Sequence, residues 1–190
     1  MWRQIGPAFR IMVVFTILTG LIYPGVITGL ARVLFPNQAD GSLINLNGQV
    51  VGSSLVGQNF SKPQYFQPRP SAAGNGYDAS ASLGSNYGPT SQKLIDRVKA
   101  SVGQFRKDNP DYTGPIPADA VTASASGLDP DISPASAAAQ ADRIAKARHA
   151  SVEQVQQLIA EYTEGRTLGL FGDPHVNVLR LNLALDQRFP

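Results

Sequence analysis

Residues 11–31 read IMVVFTILTGLIYPGVITGLA and contain no Asp, Glu, Lys, Arg or His over twenty-one positions. As an α-helix rising about 1.5 Å per residue, this stretch is roughly 30 Å long, which matches the hydrocarbon thickness of a bilayer. No later stretch of the chain is comparably long and apolar. The sequence therefore predicts one N-terminal transmembrane helix, residues 11–31, followed by one water-soluble domain, residues 36–190.

The apolar stretch is interpreted as a retained anchor rather than a cleaved signal peptide. A signal peptide has a basic start and an apolar core of about 7–15 residues. Arg3 and Arg10 supply the basic start, but the core is too long, and Gly29-Leu30-Ala31 is only a passable cleavage site. Arg32 follows directly, as expected where a membrane helix leaves the bilayer.

Arginines beside the apolar stretch predict its orientation, because basic residues concentrate on the cytoplasmic side of membrane helices. Arg3, Arg10 and the amino terminus precede the stretch, whereas Arg32 alone follows it closely. This bias predicts that residues 1–10 lie in the cytoplasm and that residues 36–190 lie in the periplasm.

Residue types within the helix favour packing against other membrane helices. Pro24 cannot donate a backbone hydrogen bond to the Gly20 carbonyl, which predicts a kink. Small residues four positions apart allow helix backbones to approach closely. The residues expected to face partner helices are Thr16, Gly20, Pro24, Gly25 and Gly29. The alternative is that these residues have no such role, because Gly and Thr are common in membrane helices generally.

The residues beyond position 35 have almost balanced charge. They include thirteen Lys and Arg and fourteen Asp and Glu, so the positive net charge of the chain comes from the arginines around the apolar helix. No basic stripe with interleaved aromatic residues is present, which argues against nucleic-acid binding. The chain contains no cysteine, so it has no disulfides.

Periodicity predicts a single mixed α+β domain with a small sheet and three main helices. Residues 42–51 are typical of two strands joined by Asn47-Gly48, which suits a type I′ turn because both central residues need positive φ. Apolar residues recur at helical spacing over residues 90–109, over residues 134–148 and after Ser151.

The C-terminal segment admits two interpretations. Residues 176–179 predict a strand, and Leu181, Leu183 and Leu185 then alternate with polar or small residues. Alternation favours a strand for residues 181–188, and a short terminal helix beginning near Leu181 is the alternative.

Residues 52–91 are rich in Gly, Ser, Asn, Ala and Pro and predict a long loop. Loops of this length in compact domains are usually functional or disordered. The aromatic residues Phe60, Tyr65 and Phe66 argue against simple disorder, because flexible linkers contain few aromatics.

Catalytic motifs are weak. The chain has no G-x-S-x-G elbow, no phosphate-binding G-x-x-x-x-G-K-[ST] loop, no cysteine and only two histidines, which are far apart in sequence, to ligate a metal. The residues that a serine-hydrolase triad would draw on are Ser124, Ser126, His149, His175, Asp119 and Asp129. A membrane-anchored exported hydrolase therefore stays an alternative, as does a binding module for an envelope ligand with Tyr65 and Phe66 as contacts.

Several short motifs occur together in a fixed order. They are Tyr23-Pro24, GSSLVGQNF at residues 52–60, Tyr65-Phe66, RPSA at 69–72, GPT at 88–90, TASASGLDP at 122–130, ISP at 132–134, Gln140, RIA at 143–145, Ala147-Arg148, VNVL at 176–179 and Leu181-Asn182. Each motif alone is weak, but the combination spans nearly the whole chain. It resembles the KdpC family, the accessory C subunits of the Kdp potassium-transporting ATPase.

The resemblance implies a bacterial inner-membrane complex. In it a channel-like subunit binds potassium, a P-type ATPase subunit hydrolyses ATP, and a small helical subunit helps assembly. This chain would be a non-catalytic accessory subunit that binds no cofactor of its own, while its partners handle ATP and K⁺. The family is described as a catalytic chaperone that raises the ATPase subunit's affinity for ATP, and Gln58 and Gln140 are the candidate ATP-binding residues. The expected partner-contact residues are Gln58, Tyr65, Phe66, Arg69, Ser124, Ser126 and Asp129.

The predicted topology argues against direct ATP binding. With the N-terminus in the cytoplasm, residues 36–190 lie outside, whereas ATP lies inside. The hypothesis is therefore that the domain caps or stabilises the extracellular entrance of the potassium-binding subunit. Any effect on ATP affinity would then be long-range coupling through membrane helices.

Overall fold

Residues 2–190 are described by a computed structural model of the chain. They divide into two compact units, the first ending at Val51 and the second covering Gly52–Pro190. The first unit contains the apolar helix, and the second contains the hydrophobic core.

The first unit begins with a long apolar helix. Helix α1 spans Trp2–Ile17 and helix α2 spans Tyr23–Leu34, with a π-helical turn, Leu18–Ile22, between them. Together they form one continuous helix of 33 residues, whose most apolar 18-residue window has a mean hydropathy of 2.1. This helix is long and apolar enough to cross a membrane, so the predicted apolar helix is confirmed. A short helix α3, Pro36–Ala39, follows it.

The π-turn accommodates Pro24. In a regular α-helix the proline ring would clash with the Gly20 carbonyl and would offer it no N–H. In the π-turn the Tyr23 N–H donates to the carbonyl of Leu18, five residues earlier. The helix is therefore widened immediately before the proline.

The predicted hairpin is confirmed. Strand β1 spans Leu43–Leu46, strand β2 spans Gln49–Ser53, and the two form a two-stranded sheet. Asn47 and Gly48 both have positive φ, 52° and 80°, as the type I′ turn requires.

Helices α4, Gln92–Asp108, α5, Pro134–Arg148, and α6, Val152–Glu161, match the three predicted helices. Helix α5 begins as expected, because the Ser133 side chain accepts a hydrogen bond from the Ser136 N–H. Helix α6 begins with the predicted capping box, in which Ser151 and Gln154 each cap the other's backbone.

A fourth helix, α7, spans Val178–Arg188, so the predicted count of three main helices and the strand favoured for residues 181–188 are wrong. The Asn177 side chain caps this helix by accepting from the Arg180 N–H at 3.1 Å. Val178, Leu181 and Leu185 are buried at helical spacing. The leucines at every second position favour a strand, but Leu181 and Leu185, four positions apart, also share one helix face, and packing on the core selected the helix.

A second sheet has three antiparallel strands in the order β3-β5-β4. Strand β3 is Asp131–Ile132, β4 is Thr163–Glu164 and β5 is His175–Asn177. Only β5 was predicted, and it ends at Asn177 rather than at residue 179. The other two strands have two residues each, which is too short for any alternation to be visible along the chain.

The main core of the second unit lies between α5, α6, α7 and β5. Its fully buried large side chains include Phe66, Ile144, Leu158, Leu181 and Leu185. A smaller cluster beside it joins Phe105 of α4 to Val121 and Ala139. Phe66 comes from the long loop, which is therefore part of the core.

Candidate functional site

Two buried carboxamides hold the long loop against the helices. Asn182 of α7 accepts from the Phe66 N–H at 2.8 Å and donates to the Phe66 carbonyl at 3.0 Å. Gln140 of α5 accepts from the Gln67 N–H at 2.8 Å and donates to the Gln67 carbonyl at 3.2 Å. Each amide thus satisfies both backbone groups of one loop residue, as a neighbouring strand would. We call Asn182 and Gln140 the carboxamide clamp.

Gln140, one of the two candidate ATP-binding residues, is fully engaged in this clamp. Its side chain is 3 % exposed. Its oxygen also accepts from Arg143 Nη2 at 2.8 Å, and its nitrogen is within 3.3 Å of the Ser136 carbonyl. The structure therefore gives Gln140 a structural role in ordering the loop.

Gln58, the other candidate, lies over Gly52. A Cβ placed at Gly52 would lie 2.0 Å from Gln58 Nε2, so a larger residue there would displace the Gln58 amide. The preceding Gly57 is equally constrained, because a Cβ there would lie 2.5 Å from the Asp129 carbonyl oxygen. The Gly57 N–H donates to the Leu128 carbonyl at 2.8 Å. Close backbone approach thus accounts for Gly57, whereas side chains crowd Gly52.

Two arginines extend the clamp along the loop. The Arg143 guanidinium donates to the carbonyls of Pro63 and Tyr65 and to Asn109 Oδ1. Burial lowers the pKa of Arg143 to about 10, and it stays charged at neutral pH. Arg148 donates to the Gln64 carbonyl at 3.1 Å. The backbone of this loop segment therefore has side-chain partners where a sheet would have supplied backbone ones.

Tyr65 and Phe66, both expected to contact partners, have different environments. Phe66 has no exposed surface and belongs to the core. Tyr65 is half-buried, its hydroxyl donates to Asp186 Oδ2 at 3.0 Å, and the Arg148 guanidinium carbon lies 4.9 Å from its ring centre. One face of Tyr65 is thus covered by a cation from the same chain.

Arg69 and Asp129 form an ion pair at 2.8 Å, with about a quarter of each side chain exposed. Tyr77 donates its hydroxyl hydrogen to the Arg69 carbonyl at 2.8 Å, and burial raises the pKa of Tyr77. Arg69 Nε is buried and has no hydrogen-bond partner among the described residues. Two residues that the sequence suggested separately are therefore in direct contact, 60 positions apart along the chain.

Ser124 and Ser126 close a tight turn. Ser124 Oγ accepts from the Gly127 N–H at 2.9 Å, and Ser126 Oγ accepts from the Leu128 N–H at 3.1 Å. In the part of the chain that the structure describes, neither hydroxyl is hydrogen-bonded to a histidine. Among the described residues, these two hydroxyls therefore lack the histidine partner that would activate them as nucleophiles.

Two surface clefts flank the Arg69–Asp129 pair. One, of about 410 Å³, is lined by Ser71, Tyr77 and Phe105 among others. The other, of about 500 Å³, is acidic and has Asp129, Asp131 and His175 in its wall. Among residues 2–190, no group of three or more His, Asp and Glu is arranged to hold a metal ion.

Asp131 is the perturbed group of the acidic cleft. Burial raises the pKa of its carboxyl, opposed by a hydrogen bond from Asn177 and by the His175 imidazole. His175 Nε2 lies 3.9 Å from Asp131 and 3.8 Å from Glu164. The charge of Asp131 therefore interacts with that of His175, beside it in the cleft wall, and with that of Glu164.

The residues expected to face partner helices are open in the apolar helix. Cβ atoms placed at Gly20, Gly25 and Gly29 would meet nothing within 4 Å. The Thr16 hydroxyl donates to the Met12 carbonyl at 2.8 Å, and Pro24 is the second residue of α2. These glycines are thus free of steric constraint within this chain.

Comparison with known proteins identifies relatives along the full length. The family model described as KdpC, K⁺-transporting ATPase, c chain, matches residues 5–187. The potassium-transporting ATPase KdpC subunit of Beijerinckia indica is 55 % identical over 190 residues, which is 100 % of this chain and 96 % of the relative. That of Myxococcus xanthus is 55 % identical over 183 residues, 96 % of this chain and 87 % of the relative. That of Rhodospirillum rubrum is 52 % identical over 190 residues, 100 % of this chain and 98 % of the relative.

The resemblance drawn from the ordered motifs is therefore confirmed. The family match includes the apolar helix as well as the second unit, and it includes both residues of the carboxamide clamp. On this evidence the chain belongs to the KdpC family, the c chains of potassium-transporting ATPases.

Proposed function

We propose that this chain is a membrane-anchored, non-catalytic accessory subunit of an ATP-driven potassium uptake pump. Its partners in this proposal are a potassium-binding channel-like subunit, a P-type ATPase subunit and a small helical subunit. The observation that carries the proposal is the family match over residues 5–187, which takes in the apolar helix and the folded body together. The chain would assemble and stabilise the complex and bind neither ATP nor a metal itself.

The proposed topology is a single pass through the inner membrane with the N-terminus in the cytoplasm. Arg3 and Arg10 before the apolar helix and Arg32 alone after it support this orientation. Residues 36–190 then lie in the periplasm, where they can cap the extracellular entrance of the potassium-binding subunit. A near-neutral, well-packed body suits such a covering role, because it neither traps nor strongly repels the permeating cation.

In this proposal ATP affinity is affected at a distance. The Gln140 amide is engaged in the carboxamide clamp, and Gln58 lies over Gly52. A body outside the membrane also has no access to cytoplasmic ATP. Any increase in the ATP affinity of the ATPase subunit is then a coupling free energy carried by membrane helices from the accessory subunit to the nucleotide site.

Protease protection tests the topology. Spheroplasts that express the chain with different tags at its two ends are treated with an external protease at a dose that degrades the detergent-solubilised chain. We expect the second unit to be degraded in intact spheroplasts while the N-terminal tag is protected. Survival of residues 36–190 until the membrane is lysed would contradict the entrance-cap proposal; a cytoplasmic marker protein controls for leakage.

Co-purification tests the assembly role. After extraction in mild detergent, affinity purification of the tagged chain is expected to recover a P-type ATPase subunit in a fixed ratio. A hydrolase or an envelope-ligand module would be recovered without that partner. Recovery of the chain alone, with its body still folded by circular dichroism, would contradict the proposed function.

A further inference from the structure

The π-turn leaves two consecutive backbone carbonyls without their ordinary α-helical donors. The Tyr23 N–H, which an α-helix would direct to the Thr19 carbonyl, donates to Leu18 instead. The next donor, for the Gly20 carbonyl, is absent because position 24 is proline. The carbonyls of Thr19 and Gly20 therefore lack the donors that a regular α-helix would give them. We call these two residues the polar step, because the rest of the helix is apolar.

Nearby hydroxyls of the same chain do not replace these donors. Thr16 Oγ1 donates to the Met12 carbonyl at 2.8 Å, and Thr19 Oγ1 donates to the Phe15 carbonyl at 2.6 Å. Both hydroxyls thus point toward the N-terminus, away from the step. Gly20 has no side chain to cover its carbonyl, and a Cβ there would meet nothing within 4 Å among the described residues.

The depth of this step makes its polarity costly. Thr19 and Gly20 lie at the middle of the apolar stretch 11–31, where a bilayer holds no water. A backbone group left without a partner in hydrocarbon costs several kcal/mol. Lipid tails cannot donate a hydrogen bond, so an occupant that satisfies the step must itself carry an N–H or O–H group at this depth.

We propose that a membrane helix of a partner subunit docks on the π-turn and donates a side-chain hydrogen bond to the Thr19 and Gly20 carbonyls. This inference rests on the proposed function, which supplies the partner subunits, and deepens it by naming the recognition chemistry. The partner residue is a neutral donor such as Ser, Thr, Asn, Gln or Trp, because an isolated charge at the midplane is far more costly. Pro24 then serves assembly by keeping the two carbonyls available.

A first pair of variants restores the missing backbone donor. Pro24→Ala supplies an N–H that can reach the Gly20 carbonyl, so this carbonyl no longer needs a donor from the partner. We expect the amount of ATPase subunit recovered with the chain from mild detergent to fall roughly five-fold, the effect of losing about one membrane hydrogen bond. Pro7→Ala in α1, outside the apolar stretch, is the matched control and is expected to change nothing.

A second pair keeps the proline and therefore separates hydrogen bonding from helix bending. Tyr23→Thr places a hydroxyl that can donate to the Thr19 carbonyl four residues earlier, as Thr16 and Thr19 already do to Met12 and Phe15. Tyr23→Val has nearly the same shape and no donor. We expect Tyr23→Thr to recover several-fold less ATPase subunit than Tyr23→Val does, with both variants inserted in the membrane.

The outcomes separate this inference from the proposed function. Equal recovery by Tyr23→Thr and Tyr23→Val, with Pro24→Ala matching the unmodified chain, overturns the docking proposal and leaves the accessory role intact. Failure of the unmodified chain to recover an ATPase subunit overturns both. If two differently tagged copies co-purify without other subunits and Pro24→Ala separates them, the occupant is a second copy, and the partner-subunit assignment is wrong.

Discussion

At the scale of single residues, buried polar side chains decide how the second unit is organised. Asn182 is 1 % exposed, Gln140 is 3 % exposed, and each bonds both backbone groups of a loop residue. Their motifs are visible in the sequence, but their partners are 116 and 73 positions away. The local clue for Asn182 was only that it lies directly between two leucines, Leu181 and Leu183.

Asp131 predicts a pH-dependent stability difference. Its pKa is raised in the folded chain, so the folded state binds the proton more tightly than the unfolded state. This stabilisation is fully present below the ordinary aspartate pKa and is lost as pH rises through the folded pKa. Asp131→Asn removes the buried charge. Chemical denaturation followed by circular dichroism measures the free energy of unfolding of both chains. The value for Asp131→Asn minus the value for the unmodified chain should be largest at neutral pH and should fall on acidification.

The neighbours of Asp131 set the controls for this measurement. Asp129, Glu164 and His175 all interact with its charge. The comparison is therefore repeated in a His175→Gln background, where the same trend is expected. Asp40→Asn is the matched control for Asp131→Asn, because it makes the same change at an exposed carboxylate of the first unit. A free-energy difference for Asp131→Asn that does not vary with pH would contradict the prediction.

At the scale of secondary-structure elements, neighbouring residues were sufficient to predict an element wherever a single hydrophobic period dominated. The Asn47-Gly48 turn and the start of α5 follow from residues adjacent in sequence. Helix α7 did not follow in this way, because the alternation of Leu181, Leu183 and Leu185 favours a strand, although Leu181 and Leu185 also have helical spacing. Burial of Leu181 and Leu185 against the core, together with the Asn177 cap, decided between them.

The long loop between β2 and α4 depends on the carboxamide clamp. Gln140→Leu keeps the side-chain volume but leaves the Gln67 N–H and carbonyl without partners in a buried site. We expect a loss of about 2–3 kcal/mol in the free energy of unfolding, because unsatisfied buried groups cost about 1–3 kcal/mol each. Denaturation of the detergent-solubilised chain, followed by circular dichroism, measures it.

Gln157→Leu makes the same chemical change at an exposed position of α6 and is expected to alter stability by less than about 0.5 kcal/mol. The same two variants also address the ATP hypothesis for Gln140. If Gln140→Leu weakened ATP binding by the assembled complex while leaving the free energy of unfolding unchanged, the side chain would be a ligand rather than a clamp.

At the scale of the whole molecule, burial is distributed unevenly along the chain. Residues 36–51 are mostly exposed, whereas loop residues 63–77 are held by the clamp and by arginines. Limited digestion of the full chain in detergent with a protease of broad specificity should therefore cut residues 36–51 early and leave residues 63–77 intact. Fragment masses identify the cut sites.

The Gln140→Leu variant provides the internal comparison for this digestion. Losing the clamp on Gln67 should make residues 63–77 sensitive, whereas Gln157→Leu should digest like the unmodified chain. Early cleavage within residues 63–77 of the unmodified chain would contradict the view that the loop is held as part of the fold.

Sequence by itself was sufficient for the apolar helix, the hairpin, three of the four main helices and membership of the KdpC family. These features depend on contiguous residues, on turn chemistry or on the order of short motifs, all of which can be read along one dimension. Long-range contacts in the folded chain make α7 a helix, bring the two-residue strands into a second sheet, and place Gln140 and Asn182 against the loop. Each of those outcomes depends on hydrogen bonds to buried polar groups and on the burial of apolar surface. The residues that make these contacts are far apart in the chain.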